Sequence, residues 1–227
     1  MAAAKSGTRK TGIFGGTFDP VHFGHLRPAE EVRQRLALDE LCFVPAAVPP
    51  HKRGRQVTAA AHRLRMLEAA IDGNPYFRCS TYELEKGGPS YSIDTLEHFR
   101  RQGGGELFFI IGWDAFREIE TWKAYGELFR LANFVVMSRF LAGRNPGSPR
   151  STEVFPVAIR GDFCYEGEGL FRHLSGSKVF FQPVTRLDIS SSLIRRECRA
   201  GRSLAYLLPA AVKRYIEVHG LYVSGEE

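Results

Sequence analysis

The sequence predicts an α/β fold with a doubly wound parallel sheet, in a single domain whose C-terminal part is helical. Short apolar runs alternate with amphipathic helical patterns along the 227 residues, which is typical of strands joined by crossover helices. The run 107–111 is continuously apolar and rich in β-forming residues, as expected of a central strand buried on both faces. A hydrophobic content of 44% is sufficient for one substantial core.

The order of the elements follows from the periodicity of the apolar residues. Alternation, or a short uninterrupted apolar run, predicts strands at 11–14, 41–45, 77–84, 107–111, 134–137 and 179–182. Helical periodicity predicts helices at 24–38, 59–71, 92–101 and 122–131, a helix that starts around Ser190, and a last helix at 209–219. This last helix has a proline at its start and Gly220 directly after its end, which are the residue types preferred there.

The remaining segments give the expected boundaries. We expect a disordered extension at 1–10, one domain at 11–222 and a short tail at 223–227. The segment 139–150 is rich in Gly, Pro, Ser and Arg and is predicted to be an exposed loop, whereas 151–176 carries no recognisable motif. The N-terminus lacks the apolar stretch of a signal peptide and no apolar run is long enough to span a bilayer, so we expect a cytoplasmic protein without membrane contact.

Cysteine usage and charge narrow the classes of partner. The four cysteines show no CxxC pairing, which predicts reduced thiols and no protein-bound metal site. The formal net charge of +6 favours anionic partners. Because no stretch combines dense Lys and Arg with interleaved aromatic residues, small anionic nucleotides are favoured over nucleic acid.

The stretch 15–25, Gly-Gly-Thr-Phe-Asp-Pro-Val-His-Phe-Gly-His, is the most informative part of the chain. Gly15 and Gly16 lie where the first strand passes into the first helix, and a helix start offers unpaired N–H groups and partial positive charge to an anion. His22 and His25 are three residues apart, so both rings can face one group. A tight structural turn, or a metal-binding histidine pair, is the alternative. The glycine donors and the lack of a third ligand nearby favour phosphate.

His22-Phe23-Gly24-His25 matches the His-x-Gly-His signature of the nucleotidyltransferase superfamily, and the longer stretch resembles the bacterial nicotinate-mononucleotide adenylyltransferases. Further motifs follow in that family's order: Pro49-Pro50-His51-Lys52, Arg63 with Met66-Leu67, Tyr91 to Leu96, Gly112-Trp113-Asp114 with Trp122, and Ile189 to Arg195. The resemblance covers about 12–222 and implies a Rossmann-like nucleotidyltransferase fold.

The resemblance also implies two groups of binding residues. Those implied for ATP are Gly15, Gly16, Thr17, Phe18, His22, His25, Gly112, Asp114, Ile189, Ser190, Ser191 and Arg195. Those implied for a mononucleotide are Phe14, Gly15, Lys52, Tyr91, Ser92, Thr95 and Trp122. Within these groups the implied catalytic residues are His22, His25, Lys52 and Arg195.

Several of these residues have a simpler structural interpretation. The three serines at 190–192 suit a capped helix start as well as a phosphate site, and Asp114 suits either a ribose or the N-cap of a helix that begins at Ala115. Lys52 suits either the transferring phosphates or solvent. Trp122 suits either core packing or, by the resemblance, the pyridine ring of the mononucleotide.

The reaction implied is transfer of AMP from ATP to nicotinate mononucleotide, giving nicotinate adenine dinucleotide and pyrophosphate in NAD biosynthesis. Mg²⁺, held mainly by the ATP phosphates, is the implied cofactor. The protein is expected to act as a monomer or a homo-oligomer. Two rivals stay open: another nucleotidyltransferase, specific for phosphopantetheine or a cytidylyl group, and a non-enzymatic nucleotide- or RNA-binding module.

Overall fold

The computed structural model describes residues 8–49, 57–103, 105–138 and 149–223. Over these residues the chain forms one eight-stranded sheet with helices on both faces. The strands are β1 (Lys10–Gly16), β2 (Glu40–Pro45), β3 (Phe77–Cys79), β4 (Glu106–Gly112), β5 (Asn133–Ser138), β6 (Phe163–Gly167), β7 (Leu170–His173) and β8 (Lys178–Pro183). The α/β prediction is therefore confirmed.

The spatial order of the strands is β3-β2-β1-β4-β5-β8-β7-β6. All pairs from β3 to β8 in this order are parallel, as predicted. The sheet is mixed, because at one edge β7 pairs antiparallel with β8 and with β6. A hairpin needs only a short turn, whereas a parallel pair needs a crossover, so this short segment turns back on itself. It lies in the stretch 151–176 for which no motif was recognised.

The described part of the chain contains eight α-helices, the last two of which follow β8: α1 (Phe23–Arg35), α2 (Ala60–Ile71), α3 (Tyr82–Lys86), α4 (Ser92–Arg101), α5 (Trp113–Arg117), α6 (Tyr125–Leu131), α7 (Ser191–Arg199) and α8 (Ala210–Val218). Short 3₁₀ helices occur at Ile119–Thr121, Thr152–Val154 and Arg160–Asp162. None of the helices among the described residues has both the length and the apolar character needed to cross a bilayer.

Three predicted elements differ from the structure. The strand predicted at 77–84 ends at Cys79, and α3 follows it. The buried residue of α3 is Glu83, so the alternation of apolar residues that predicted a strand is not what is buried there. The helix predicted at 122–131 begins at Tyr125, since Trp122 is extended and Ala124 has a left-handed backbone with φ 52°. The helix predicted at 24–38 ends at Arg35, and Ala37 is likewise left-handed.

The two faces of the sheet carry two separate apolar layers. On one face α1, α2, α7 and α8 pack through residues such as Val32, Met66 and Ile194. On the other face α4, α5 and α6 pack through residues such as Leu96 and Phe129. This burial on both faces is what makes the sheet doubly wound, as predicted.

The strand order changes direction between β1 and β4, which lie side by side in the middle of the sheet. The chain runs outward from β1 to β3 on one side and from β4 towards β8 on the other. In open α/β sheets, ligands bind beyond the carboxyl ends of the strands at such a point. The segments after β1, β2, β4 and β8 meet at this edge.

The predicted terminal segments fall mainly outside the described residues, which begin at residue 8 and end at residue 223. β1 begins at Lys10, the last residue of the predicted extension. Most of the predicted loop 139–150 also lies outside the described residues. These boundaries stay predictions.

Candidate active site

The loop between β1 and α1 is shaped by close contacts and by one open position. A Cβ atom on Gly16 would lie 2.8 Å from the Phe18 ring, so only glycine fits there. A Cβ atom on Gly15 would meet nothing within 4 Å. The backbone at Gly15 is therefore accessible to a ligand, while Gly16 allows Phe18 to fold beneath the loop.

His22 and His25 lie together at the start of α1, as their spacing predicted. Their ring centroids are 3.8 Å apart with planes inclined by 31°. The backbone N–H of His22 donates to Nδ1 of His25 over 3.3 Å, which leaves Nε2 of His25 to carry a proton and act as a donor. The rings of Phe14 and Phe18 contact His25 edge-on and fix its orientation.

The start of α7 is docked directly on this loop. Ser190 is the N-cap, and its Oγ accepts from the N–H of Leu193 at 3.1 Å. The Ser191 hydroxyl donates to the carbonyl of Pro20 at 2.9 Å, and Nη1 of Arg195 donates to the carbonyl of Asp19 at 2.6 Å. The two regions that sequence analysis selected for phosphate thus form one continuous surface.

Gly24 explains how closely these two regions approach. A Cβ atom at this position would lie 3.0 Å from the carbonyl oxygen of Ile189 and 2.9 Å from the His22 ring. Any larger residue would push the segment before α7 away from the histidines. The glycine of the His-x-Gly-His motif is therefore required by packing between the two regions.

Asp19 is a buried carboxylate at the centre of the loop, with 4% exposure. Its Oδ1 accepts from the Tyr222 hydroxyl at 2.7 Å and its Oδ2 from the Thr58 N–H at 3.2 Å. Burial, and then the nearby Asp19 charge, raise the pKa of Tyr222, so that its hydroxyl stays protonated and donates. Nη1 of Arg195 lies 4.0 Å from Oδ2 of Asp19.

Arg63 is a second buried group that holds the loops of the site in place. Sequence analysis matched it to the family but gave it no role. It is 1% exposed and donates to the carbonyls of Thr17, Ala46 and Thr58 at 2.7 to 2.8 Å. Burial lowers the pKa of its guanidinium. One buried cation thereby joins the loops that follow β1 and β2 to the segment before α2. A basic residue within the apolar stripe of α2 was the available sequence indication.

A cleft of about 280 Å³ opens beside Gly15, and we call it the Trp122 cleft. Its walls include Phe14, Tyr91, Ser92 and Trp122, as well as Gly15 itself. Trp122 is half-buried and meets Phe109 edge-on, with the ring centroids 6.3 Å apart. Tyr91 is the N-cap of α4, so the first turn of that helix faces the cleft.

Lys123 also lines the Trp122 cleft and was missed by sequence analysis. Its Nζ lies 4.7 Å from the centroid of the Tyr91 ring and 3.3 Å from Oδ1 of Asp94. Asp94 also pairs with Lys86, and these contacts lower the pKa of Asp94 against the opposing effect of burial. Two lysines share one carboxylate here, so this cluster brings one net positive charge to the side of the cleft that Lys123 lines.

Thr95 lies beneath the cleft rather than in its wall. Its side chain is 2% exposed, and its hydroxyl donates to Oε1 of Glu83 at 2.6 Å. Glu83 itself lines the cleft, and burial raises the pKa of its carboxyl. Sequence analysis selected Thr95 and missed Glu83, because an isolated glutamate in a short segment shows no pattern.

A second opening of about 330 Å³ lies on the other side of β4, and we call it the Asp114 cleft. Its lining includes Gly112, Asp114, Met137, Arg186 and Asp188. The interpretation of Asp114 as the N-cap of a helix at Ala115 is wrong, because Gly112 is the N-cap and Asp114 lies in the first turn of α5. Asp114 is exposed and accessible to a ligand.

Lys52 lies outside the described residues, which resume at residue 57, so its predicted role stays a prediction. All four cysteines are free; burial raises the pKa of Cys42 and of Cys79 to about 12. Among the described residues, no three His, Cys, Asp or Glu side chains gather as a metal site would require.

Residues 13–197 match a family model described as Cytidylyltransferase-like. A probable nicotinate-nucleotide adenylyltransferase from Syntrophotalea carbinolica is 47% identical over 96% of this chain and 99% of its own length. Its counterpart from Geotalea daltonii is 46% identical over 95% of this chain and 99% of its own length.

The fold has solved counterparts as well. The Plasmodium falciparum nicotinic acid mononucleotide adenylyltransferase complexed with NaAD gives a TM-score of 0.70 at 17% identity, over 96% of this chain and 100% of that chain. This likeness shows the same fold. Together with the family match and the identities above, it establishes that the chain belongs to the Cytidylyltransferase-like family and, within it, to the nicotinate-nucleotide adenylyltransferases.

Proposed function

We propose that this chain transfers AMP from ATP to nicotinate mononucleotide, releasing pyrophosphate and forming nicotinate adenine dinucleotide for NAD biosynthesis. The observation that carries the proposal is the joined surface of the His22–His25 pair and the start of α7 at the edge where the strand order reverses, where two clefts that share Gly112 also open. A transfer between two nucleotides needs two such pockets with the reacting phosphates between them. The identity to the curated relatives supports this activity over the two rivals.

On the ATP side, the proposed phosphate donors are Nε2 of His25, the N–H groups at the start of α7 and the guanidinium of Arg195. Each is a hydrogen-bond donor with a partial or full positive charge, which suits an ionised triphosphate. The Asp114 cleft is adjacent and carries an exposed carboxylate able to accept from ribose hydroxyls. We propose that it receives the adenosine.

On the acceptor side, the Trp122 cleft suits a nicotinate ribonucleotide. The pyridine ring of this mononucleotide is cationic, and the aromatic face of Trp122 attracts a cation by about 0.5–2 kcal/mol. The nicotinate carboxylate accepts hydrogen bonds only, and the backbone N–H of Ser92 at the start of α4 is a suitable donor. Lys123 adds positive charge at the same rim.

The chemistry requires alignment rather than proton abstraction. The second pKa of a phosphomonoester is about 6, so the acceptor phosphate is already ionised near neutral pH and needs no general base. The residues must bring two anions together and stabilise the charge that grows on the leaving pyrophosphate. We assign this stabilisation to His22, His25, Arg195 and Lys52.

Enzymes of this family typically use a divalent metal ion, and we propose Mg²⁺ for this chain. The groups that face the joined surface are imidazole, hydroxyl, N–H and guanidinium donors, and the Asp19 carboxylate is already engaged by Tyr222 and Thr58. This donor set fits an ion that is held mainly by the ATP phosphates and water. When bound, the ion would neutralise part of the triphosphate charge.

The proposal is tested by incubating the purified chain with ATP, Mg²⁺ and one acceptor at a time, while pyrophosphate release is measured. The acceptors are nicotinate mononucleotide, nicotinamide mononucleotide and phosphopantetheine, and CTP replaces ATP in a parallel series. Fastest release with ATP and nicotinate mononucleotide is expected. Faster release with phosphopantetheine or CTP supports the rival transferases, and no release with any pair would overturn an enzymatic role.

A further inference from the structure

Glu83 is a buried carboxyl that no part of the proposed mechanism uses. It is 8% exposed and forms part of the wall of the Trp122 cleft. Among the described residues it is in none of the salt bridges, although the charge of Lys86 is near enough to lower its pKa. A buried carboxyl without a cationic partner is costly, so the groups that satisfy it indicate its role.

The partners of Glu83 are two hydroxyl groups at the two ends of one short segment. Thr95 donates to Oε1 at 2.6 Å, and the nearby Ser90 hydroxyl lowers the pKa of the carboxyl against the larger effect of burial. Tyr91 and Ser92, which both line the cleft, lie between Ser90 and Thr95. Glu83 therefore lies beside both ends of the segment that forms the acceptor side of the cleft and clamps it through the bond to Thr95.

The clamp extends to the sheet. The Ser90 Oγ accepts from the N–H of Ala47 at 2.8 Å, and the Ser90 N–H donates to the carbonyl of Val48 at 3.0 Å. Ala47 follows β2, and its carbonyl accepts from Nη2 of Arg63 at 3.4 Å. The position of α4 relative to the end of β2 thus depends on a chain of hydrogen bonds that ends at Glu83.

We propose that Glu83 is a positioning residue that orients the first turn of α4 towards the acceptor, acting through Ser90 and Thr95. The inference rests on the proposed function and adds to it the group that shapes the acceptor site. It also gives Thr95 an indirect role: its hydroxyl holds the helix start in place instead of contacting the mononucleotide. Loss of the clamp leaves the ATP side intact, because the Asp114 cleft and α7 share none of these hydrogen bonds.

Because the acceptor is an anion, the negative charge of Glu83 does not favour its binding. A negative charge in the cleft wall repels the nicotinate carboxylate, so the clamp needs the hydrogen-bonding shape of Glu83 and not its charge. Glutamine has the same shape, accepts from Thr95 through Oε1 and donates to Ser90 Oγ through Nε2. Glu83→Gln is therefore expected to recover the acceptor affinity that Glu83→Ala loses.

The test is steady-state kinetics with each substrate varied in turn, supported by direct titration of nicotinate mononucleotide into the enzyme. Glu83→Ala and Thr95→Val are each expected to raise the acceptor KM about tenfold, the effect of losing one buried hydrogen bond to a carboxyl group, with the ATP KM within about twofold. The double variant is expected to match Glu83→Ala, because that variant already removes the contact that Thr95→Val removes. Glu85→Ala, an exposed glutamate on the same helix, is the matched control and is expected to behave as the wild type.

Several results would overturn the inference. If Glu83→Ala raises the acceptor KM and Thr95→Val does not, Glu83 contacts the acceptor directly. If Glu83→Gln loses as much acceptor affinity as Glu83→Ala, the charge and not the clamp is responsible. If Glu83→Ala fails to fold, Glu83→Gln and Thr95→Val still decide. A wild-type enzyme that does not use nicotinate mononucleotide contradicts the proposed function, whereas an active enzyme with unchanged variants contradicts this inference alone.

Discussion

Replacing Tyr222 by phenylalanine tests whether the C-terminal segment supports the catalytic loop. The change removes only the hydroxyl that donates to Oδ1 of Asp19 at 2.7 Å. Asp19 is 4% exposed, so water cannot readily replace the lost donor. A hydrogen bond to a charged group contributes about 1.5–3 kcal/mol, and in a chain of this size each kcal/mol shifts Tm by about 2–4 °C. The expected decrease in Tm is therefore about 3–12 °C.

The same change is expected to reduce turnover. Arg195 is bound to the Asp19 carbonyl at 2.6 Å and lies 4.0 Å from its carboxylate. Loss of the Tyr222 hydroxyl leaves the Asp19 carboxylate with one donor fewer, so it is expected to attract the Arg195 guanidinium more strongly. The guanidinium is then less available to the phosphates. A shift of about 1.4 kcal/mol in the barrier would lower kcat about tenfold.

The assay is pyrophosphate release at saturating substrates, together with thermal unfolding of the same preparation. Tyr206→Phe is the matched control, because Tyr206 is 92% exposed. A lower Tm with normal kcat would mean that the Tyr222–Asp19 contact is only structural. An unchanged Tm and an unchanged kcat would refute the reasoning about the buried carboxylate altogether.

Four further outcomes are expected. His25→Ala lowers kcat about a hundredfold with little change in folding, because one preorganised donor to the triphosphate is lost; near-normal kcat with a raised ATP KM would assign His25 to ground-state binding. Trp122→Ala weakens nicotinate mononucleotide a few-fold to about thirtyfold in titrations while ATP affinity is kept, and equal weakening of both would make the residue structural. Lys123→Met narrows the ratio of kcat/KM between nicotinate and nicotinamide mononucleotides, because it removes the rim cation; an unchanged ratio would leave selection to the backbone. The raised pKa of Glu83 stabilises the fold at pH below the usual glutamate pKa, and this contribution is lost as pH rises through the raised value. Urea unfolding should therefore show Glu83→Gln gaining stability on the wild type as pH rises above the usual glutamate pKa, and a constant difference would contradict that shift.

The parts of the site that sequence analysis predicted are those encoded locally. A glycine turn after an apolar run, histidines three residues apart and a serine cluster before a helix each have one common local structure. The structure contains all three, with His22 and His25 in contact and Ser190 as a cap. Their assignment to particular substrates came from the family resemblance and not from the local pattern.

The parts that sequence analysis missed depend on contacts between distant segments. The role of Arg63 becomes visible only when carbonyls from three loops surround its guanidinium, and that of Glu83 only when Ser90 and Thr95 converge on it. Trp122 carried helical periodicity, yet the left-handed backbone of Ala124 delays the helix. The β6–β7 hairpin escaped notice because its strands are only five and four residues long.

This hairpin also covers the edge of β8, which would otherwise be the last strand of the sheet on that side. Without β7, the free edge of the sheet would be β8, a six-residue strand with two phenylalanines, Phe180 and Phe181, and such an edge can recruit the strands of other chains. With the hairpin in place, the outermost strand is β6, which is short, exposed over Cys164, Tyr165 and Glu166, and interrupted by a register shift. At the opposite edge β3 pairs over only three residues. A shortened enzyme that lacks β6 and β7 is therefore expected to aggregate, even though no residue of the two clefts would be missing.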